Sequence, residues 1–269
     1  MRASNLLKIT ALLLAALSIV LTASCSLTGE DTEETTTERE AVTLVARPES
    51  TQEIVYFYND AANAIKSKKP GVSSSSWADV RDVDTGDVAE AKALIAFAEH
   101  FADALDDQGE TKEYGSDLND FLPIRGTSDV SLLLPEHVEK AELTDLEDDR
   151  YQYDVHLVLK NGAAATAAAF DLGADKKEIL NTFTDYRDTV EVSDYDVSYE
   201  ACEIFAHVNK ETNEVTYLKL VKNAIVTADV NFTGTLESLG ETTVTFNLQQ
   251  TQEFHDFVWE APTEAASEE

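Results

Sequence analysis

From Tyr151 onward the chain alternates apolar and polar residues with a period of two, and this rhythm constrains the fold more than any other feature of the sequence. Tyr151, Tyr153, Val155, Leu157 and Leu159 alternate with polar partners up to Asn161-Gly162, a two-residue pair that signals a hairpin. Further strands are expected at 195–208, 215–222, 224–232, 242–250 and 253–259, with a turn at Lys210 to Asn213. Ala224, Val226, Ala228, Val230 and Phe232 face one way, and Thr227, Asp229 and Asn231 the other. A strand with one apolar and one polar face belongs in an antiparallel sheet covered on a single side. Val155, Leu157, Ile204, Val226, Val230, Phe246 and Leu248 should therefore share one face. The run Ala163 to Ala169 is read as the return strand of the hairpin, although alanine is a poor strand former.

The first half of the chain supplies the cover. Ser50-Thr51-Gln52-Glu53 is a capping box, and Ile54, Phe57, Tyr58, Ala61 and Ile65 recur behind it at helical spacing. Lys68-Lys69-Pro70-Gly71 stops that helix. Ser73 to Ser76 lead into a strand around Trp77, Val80 and Val83. A second helix is expected over 88–105, with Ala91, Leu94, Ile95, Ala98, Phe101 and Leu105 on one side, followed by polar loop to about Ser128. A short helix is expected from Pro135 to Ala141, because proline is tolerated in a first turn, and another opens at Asp175 and Glu178. The fold class that follows is α+β: an antiparallel meander with helices packed on one face, an arrangement that a curved half-barrel would satisfy.

The N-terminus carries a different instruction. Arg2 and Lys8 precede an apolar run from Ile9 to Leu21, which is shorter than the roughly 20 residues a membrane-spanning helix needs. Leu21-Thr22-Ala23-Ser24-Cys25 follows, and it resembles the lipobox of bacterial lipoproteins, with Thr22 where leucine is more usual. The resemblance implies removal of 1–24 and attachment of diacylglycerol to the Cys25 thiol, which places the chain on the extracytoplasmic face of the cell membrane. Each buried CH₂ contributes about 0.8 kcal/mol, so two or three acyl chains hold without a basic patch. None follows Cys25: the next residues are Ser-Leu-Thr-Gly-Glu-Asp-Thr-Glu-Glu-Thr-Thr-Thr-Glu-Arg-Glu. Such a stretch cannot offset its ordering entropy, and 26–40 reads as a disordered spacer reaching up to roughly 50 Å. The expected organisation is a signal peptide at 1–24, a lipidated cysteine and acidic linker at 25–50, one α+β domain at 51–259, and an acidic disordered tail at 260–269.

Charge and cysteine content narrow the function classes. There are 52 acidic and 20 basic residues, for a net charge of −32. Such a surface repels nucleic acid and anionic lipid, so no nucleic-acid partner is expected. With Cys25 acylated, the other of the two cysteines, Cys202, has no partner within the chain, and the domain must fold without disulfides. In Tyr-Glu-Ala-Cys-Glu-Ile-Phe-Ala-His-Val, Cys202 alternates with Ile204, Ala206 and Val208 and reads as a buried structural thiol.

Motifs for chemistry are missing: there is no G-x-S-x-G, H-E-x-x-H, C-x-x-C or glycine-rich phosphate loop. His156 lies two residues from Asp154, and His207 lies near Phe205 and Glu203, spacings that exposed strand positions explain without a metal. Asp82, Asp84 and Asp87 around Gly86 come nearest to a cation loop. Counted from Asp82, however, the sixth and twelfth places of an EF-hand are Asp87 and Ala93. A helix entry capped by Asp87 is the simpler account, with calcium as the alternative. No catalytic residue, cofactor or metal is expected.

A second resemblance rests on Tyr58-Asn59, Ala61-Ala62-Asn63, Lys66 and Pro70-Gly71, together with Val-Asn-Lys-Glu-Thr-Asn-Glu-Val at 208–215. These positions are similar to a group of small Firmicutes lipoproteins over about half of the domain, a likeness that brings no activity with it. The layout is also similar to lipoprotein carriers of the LolA and LprG type, by analogy of a curved sheet over helices and without a shared motif. The expectation is a monomeric, non-catalytic binding or carrier module for an apolar ligand or an envelope protein. The alternatives are a scaffolding lipoprotein and a hydrolase without a recognisable motif.

Overall fold

The computed structural model describes residues 47–84, 107–119, 121–122, 131–170 and 190–261. The chain divides into two compact units, Met1–Val45 and Ala46–Glu269, and every described residue belongs to the second. Helix α1 (Thr51–Lys68) begins on a complete capping box. The Ser50 side chain accepts from the Glu53 backbone N–H, and Glu53 Oε2 accepts from the Ser50 backbone N–H at 2.9 Å. The helix ends where Lys69 turns left-handed at φ 52°. Both boundaries follow the sequence expectation.

Most of the other described residues form an open antiparallel sheet of eight strands. Its strands are β1 (Gly71–Asp84), β2 (Asp107–Lys112), β3 (Val138–Leu146), β4 (Asp149–Leu159), β5 (Val190–Tyr199), β6 (Glu203–Asn209), β7 (Val215–Phe232) and β8 (Glu241–Val258). They lie in the order β2-β1-β8-β7-β6-β4-β3, with β5 also paired to β7. The expected breaks at 223 and 251–252 do not occur. β7 and β8 each run 18 residues and stay in register from Leu218 opposite Phe254 to Asn231 opposite Glu241. A shared ladder of that length outweighs the local polarity of Lys222-Asn223 and Thr251-Gln252.

The expected strand 195–208 divides instead. β5 pairs with the second half of β7 and β6 with the first half, so that Tyr199 faces Ala224 and Glu203 faces Val221. Three residues, 200–202, stand opposite two, which is a bulge, and Ala201 takes the left-handed conformation at φ 46°.

Three further expectations are corrected. Ala163–Ala169 is helix α2 and not a return strand. Alanine has the highest helix propensity, and once β4 has β3 and β6 as neighbours no vacant place beside it remains. Gly162 leaves the strand at φ 109°, and Thr166 Oγ1 donates back to its carbonyl at 3.1 Å. Second, the helix expected at Pro135 to Ala141 is a single 3₁₀ turn, Pro135–His137, after which β3 starts at once. Third, β2 and β3 arise in stretches read as polar loop and short helix, because edge strands are rich in charge and show weak apolar alternation. The helices expected at 88–105 and after Asp175 lie outside the described residues.

Among the described residues, the core falls into two clusters. In the first, Ile54, Val55, Tyr58, Ala61, Ala62 and Ile65 of α1 pack on Val155, Leu157, Ile204, Ala206, Leu218 and Phe254. Ala168, Ala169 and Phe170 join them, so both described helices belong to this cluster. The second holds Ala224, Val226, Ala228, Val230 and Phe232 of β7, Val244, Phe246 and Leu248 of β8, and Val190 and Tyr195 of β5. Because β7 and β8 keep register, their even-numbered residues remain on one side, and the two clusters occupy the same face of this ribbon. The seven residues expected to share a face are all buried there. A fully buried leucine, valine or phenylalanine contributes about 1.5–3 kcal/mol, so this face dominates the stability of the sheet.

Candidate functional site

The opposite face of the sheet is where the sequence-derived polar candidates meet. Register places Glu142 (β3), His156 (β4), Phe205 (β6), Lys219 (β7) and Glu253 (β8) side by side in one row across five strands. The His156 ring stacks on Phe205, with centroids 4.3 Å apart and planes 10° from parallel. Its Nε2 lies 2.6 Å from Glu203 Oε2, and its Nδ1 lies 3.6 Å from Glu142 Oε2. Lys140 bonds Glu142 at 2.9 Å, and that bond, aided by His156, holds the Glu142 carboxyl below the ordinary range. Across the row, Lys219 Nζ sits 5.7 Å from the Phe205 centroid and 4.0 Å from Glu253. Tyr217 donates to Glu253 Oε1 at 2.6 Å, and burial, with this carboxylate beside it, pushes the phenol pKa upward. His207 lies 4.9 Å from the Tyr217 ring and 4.0 Å from Asp154.

This arrangement links neighbouring strands through their side chains. The two carboxylates of His156 sit on different strands and engage opposite ring nitrogens, so they converge on no common point. Among the described residues, no group of three or more His, Cys, Asp or Glu side chains could hold a metal ion. The sequence spacing of His156 and His207 showed where they stand but not their partners, because cross-strand neighbours depend on register.

A serine, a histidine and an aspartate also meet on this face. Ser73 (β1) is directly opposite His255 (β8), whose Nδ1 lies 2.7 Å from Asp256 Oδ2. Ser73 Oγ, however, pairs with Thr111 Oγ1 at 3.0 Å, and the His255 and Asp256 side chains are 42% and 77% exposed. A nucleophile bonded elsewhere, on an open surface that does not exclude water, is not activated.

The remaining candidates separate. Cys25 and Asp87 lie outside the described residues. Asp82 sits at φ 50° in an irregularity of β1, where its Oδ2 accepts from Asn247 Nδ2 at 2.9 Å. Asp84, two residues on, ends the strand. Cys202 is buried, its thiol pushed up by that burial, within 3.7 Å of the Asn223 carbonyl and 3.8 Å of Thr166 Oγ1.

Asn59 and Asn63 of α1, and Asn209 and Asn213 of the turn before β7, have structural partners. Asn59 Nδ2 donates to the Leu133 carbonyl at 2.8 Å, and Asn63 Oδ1 accepts from the Ser131 backbone at 2.7 Å. Together they fasten the segment before β3 to α1, with Leu133 and Tyr58 buried between. In the 208–215 stretch, Asn209 Oδ1 accepts from the backbones of Glu211 and Thr212, and Asn213 is left-handed at φ 57°. These are turn duties.

Beside β5 this face becomes a polar ladder. Thr227 pairs with Thr245 at 3.2 Å, Thr243 donates to Asp229 at 2.7 Å, and Gln249 donates to Asn223 at 2.8 Å. An open groove of about 310 Å³ lies here, lined by Ser193, Asp229, Val230, Glu241, Thr242 and Thr243. No family model matches the chain, and no curated protein and no solved structure is detectably similar to it.

Proposed function

We propose that this chain is a lipoprotein acylated at Cys25, held on the extracytoplasmic face of the membrane, and that its domain is a non-catalytic binding or carrier module for an apolar ligand. The anchor reading rests on Leu21-Thr22-Ala23-Ser24-Cys25 and the acidic stretch behind it. The binding reading rests on one structural observation, the second apolar cluster. It is distinct from the cluster that holds α1 and α2, and no described α-helix belongs to it; only Leu239, at the end of the 3₁₀ helix Gly234–Leu239, packs against it among the described helical residues. It includes small side chains on either side of the Val226–Phe246 pair: Ala224 and Ala228 are 5% and 2% exposed, with Ala78 packed against the cluster. Alanines on a broad sheet surface leave depth for a guest that larger side chains would fill. On this reading the sheet curves as a half-barrel around that guest.

The test uses protein purified from native membranes. Organic extraction should release a lipid, and Ala228→Phe should diminish the lipid recovered while the thermal transition survives. Protein that carries no extractable lipid and is strongly destabilised by Ala228→Phe has a filled core, and the domain then belongs with scaffolding lipoproteins.

A further inference from the structure

The dipeptide that signals a hairpin in the sequence does not make one, and its actual setting has a chemical consequence. Asparagine followed by glycine is the pair most prone to spontaneous deamidation, because glycine has no side chain to hinder its own amide nitrogen. That nitrogen attacks the asparagine Cγ, forming a five-membered imide. The Cγ–Nδ2 bond breaks, and ammonia leaves with the proton lost from the glycine nitrogen. Water then opens the imide at either carbonyl, giving aspartate or isoaspartate.

Asn161-Gly162 is exposed enough for water to reach, yet each reacting group is tied to the bulge between β5 and β6. Gly162 N–H donates to the Tyr199 carbonyl at 2.8 Å, and Asn161 Oδ1 accepts from the Ala201 backbone N–H at 3.1 Å. The same bulge is fixed from its other side. Asn223 Nδ2 donates to the Ala201 carbonyl at 2.7 Å, and the Glu200 N–H donates to the Asn223 carbonyl at 3.2 Å. Asn223 is itself held by Gln249 at 2.8 Å. Two residues earlier, the Leu159 N–H bonds the Cys202 carbonyl at 2.8 Å. Closing the imide requires Asn161 to swing its amide carbon onto Gly162 N, and this cannot happen while both side chain and backbone are committed to 199–201.

We propose that Asn161-Gly162 is a modification site held dormant by the β5–β6 bulge, so that opening of this joint is recorded irreversibly in the chain as aspartate or isoaspartate at 161. The inference does not depend on the binding reading. The site ties the end of β4 and the start of α2 to the bulge, so isoaspartate there would insert an extra backbone carbon at a junction of four elements.

The experiment incubates the full chain at neutral pH, folded and in urea, and follows residue 161 by peptide mapping with mass spectrometry. Conversion in the folded chain should be slowed at least about tenfold relative to urea, because reaction draws only on the opened fraction. Asn223→Ala removes the bond to the Ala201 carbonyl from the far side and should speed conversion in the folded state. Hydrogen exchange of the Gly162 amide in the unaltered chain gives a second reading that needs no variant, and this amide should be protected. Equal rates in the folded chain and in urea, an unprotected Gly162 amide, or a folded Asn223→Ala variant that converts no faster would each overturn the proposal.

Discussion

Gly109 shows how a single residue can set the geometry of an edge. It sits at φ +91° in β2, and a Cβ placed there would lie 2.7 Å from the Ser74 carbonyl oxygen, where the β1–β2 register shifts between Ser74 and Ser76. Both the backbone conformation and the close approach demand glycine. Gly109→Ala should cost about 1–3 kcal/mol, read as a lower midpoint in urea with an unchanged slope. Gly115→Ala is the control: its φ is also positive, +83°, but nothing lies within 4 Å, so only the smaller conformational cost of about 1 kcal/mol applies. Equal losses at the two sites would show that contact with Ser74 does not matter.

Tyr58 makes a pH prediction of definite sign. It is 4% exposed under α1, and burial alone raises its phenol pKa above the ordinary value of 10.0. The folded state therefore favours the neutral phenol. This contribution is complete below the unfolded pKa and is lost as pH climbs past 10.0 toward the raised folded value. Tyr58→Phe should move the alkaline unfolding midpoint to higher pH in a circular-dichroism titration, and an unmoved midpoint would place the limiting group elsewhere.

At the scale of elements, α1 is held by features of different kinds. Its capping box is local, and Ser50→Ala should cost about 1 kcal/mol. Asn59 and Asn63 act over a distance, fastening the segment at 131–133. Asn63→Ala leaves the Ser131 backbone N–H without its acceptor and should cost about 1–3 kcal/mol. A double-mutant cycle with Asn59→Ala should show coupling, because both grip one segment; strict additivity would mean they act independently. At the start of the described chain, Arg47 donates to the Leu143 carbonyl at 2.7 Å and pairs with Asp145, which Lys210 also holds at 2.6 Å. The Lys210 hydrogen bond, aided by Arg47, keeps the Asp145 carboxyl below its ordinary range, so what it adds is present above that range and lost as pH falls. Asp145 is exposed, and its share is small.

For the whole molecule, the proposed anchor and the domain make separable predictions. Cys25→Ala should release the protein from the membrane fraction. A variant that stays bound while carrying no acyl group by mass spectrometry would sink the lipoprotein reading. Removing residues 1–46 should leave a cooperative thermal transition and a monomer without detergent, since the described contacts of α1 and the sheet begin at Arg47. Loss of the transition would place part of the fold upstream.

What the sequence by itself determined is whatever depends on neighbours a few residues apart. The capping box of α1, its stop at Lys69, the period of two through β4, β6, β7 and β8, the burial of Cys202 and the turn before β7 are all local. So is the class of fold, because alternation over that length admits little but an antiparallel sheet. Only the tertiary structure decided which strands pair. Asn161-Gly162 looked like a hairpin until β4 found its partners in β3 and β6, and the alanines behind it, left without a strand to join, became helix. The polar face was legible as polar, but no spacing rule could bring Glu142, His156, Phe205, Lys219 and Glu253 into one row. A residue's neighbours across a sheet are set by register, and register is chosen by the apolar face of every strand at once.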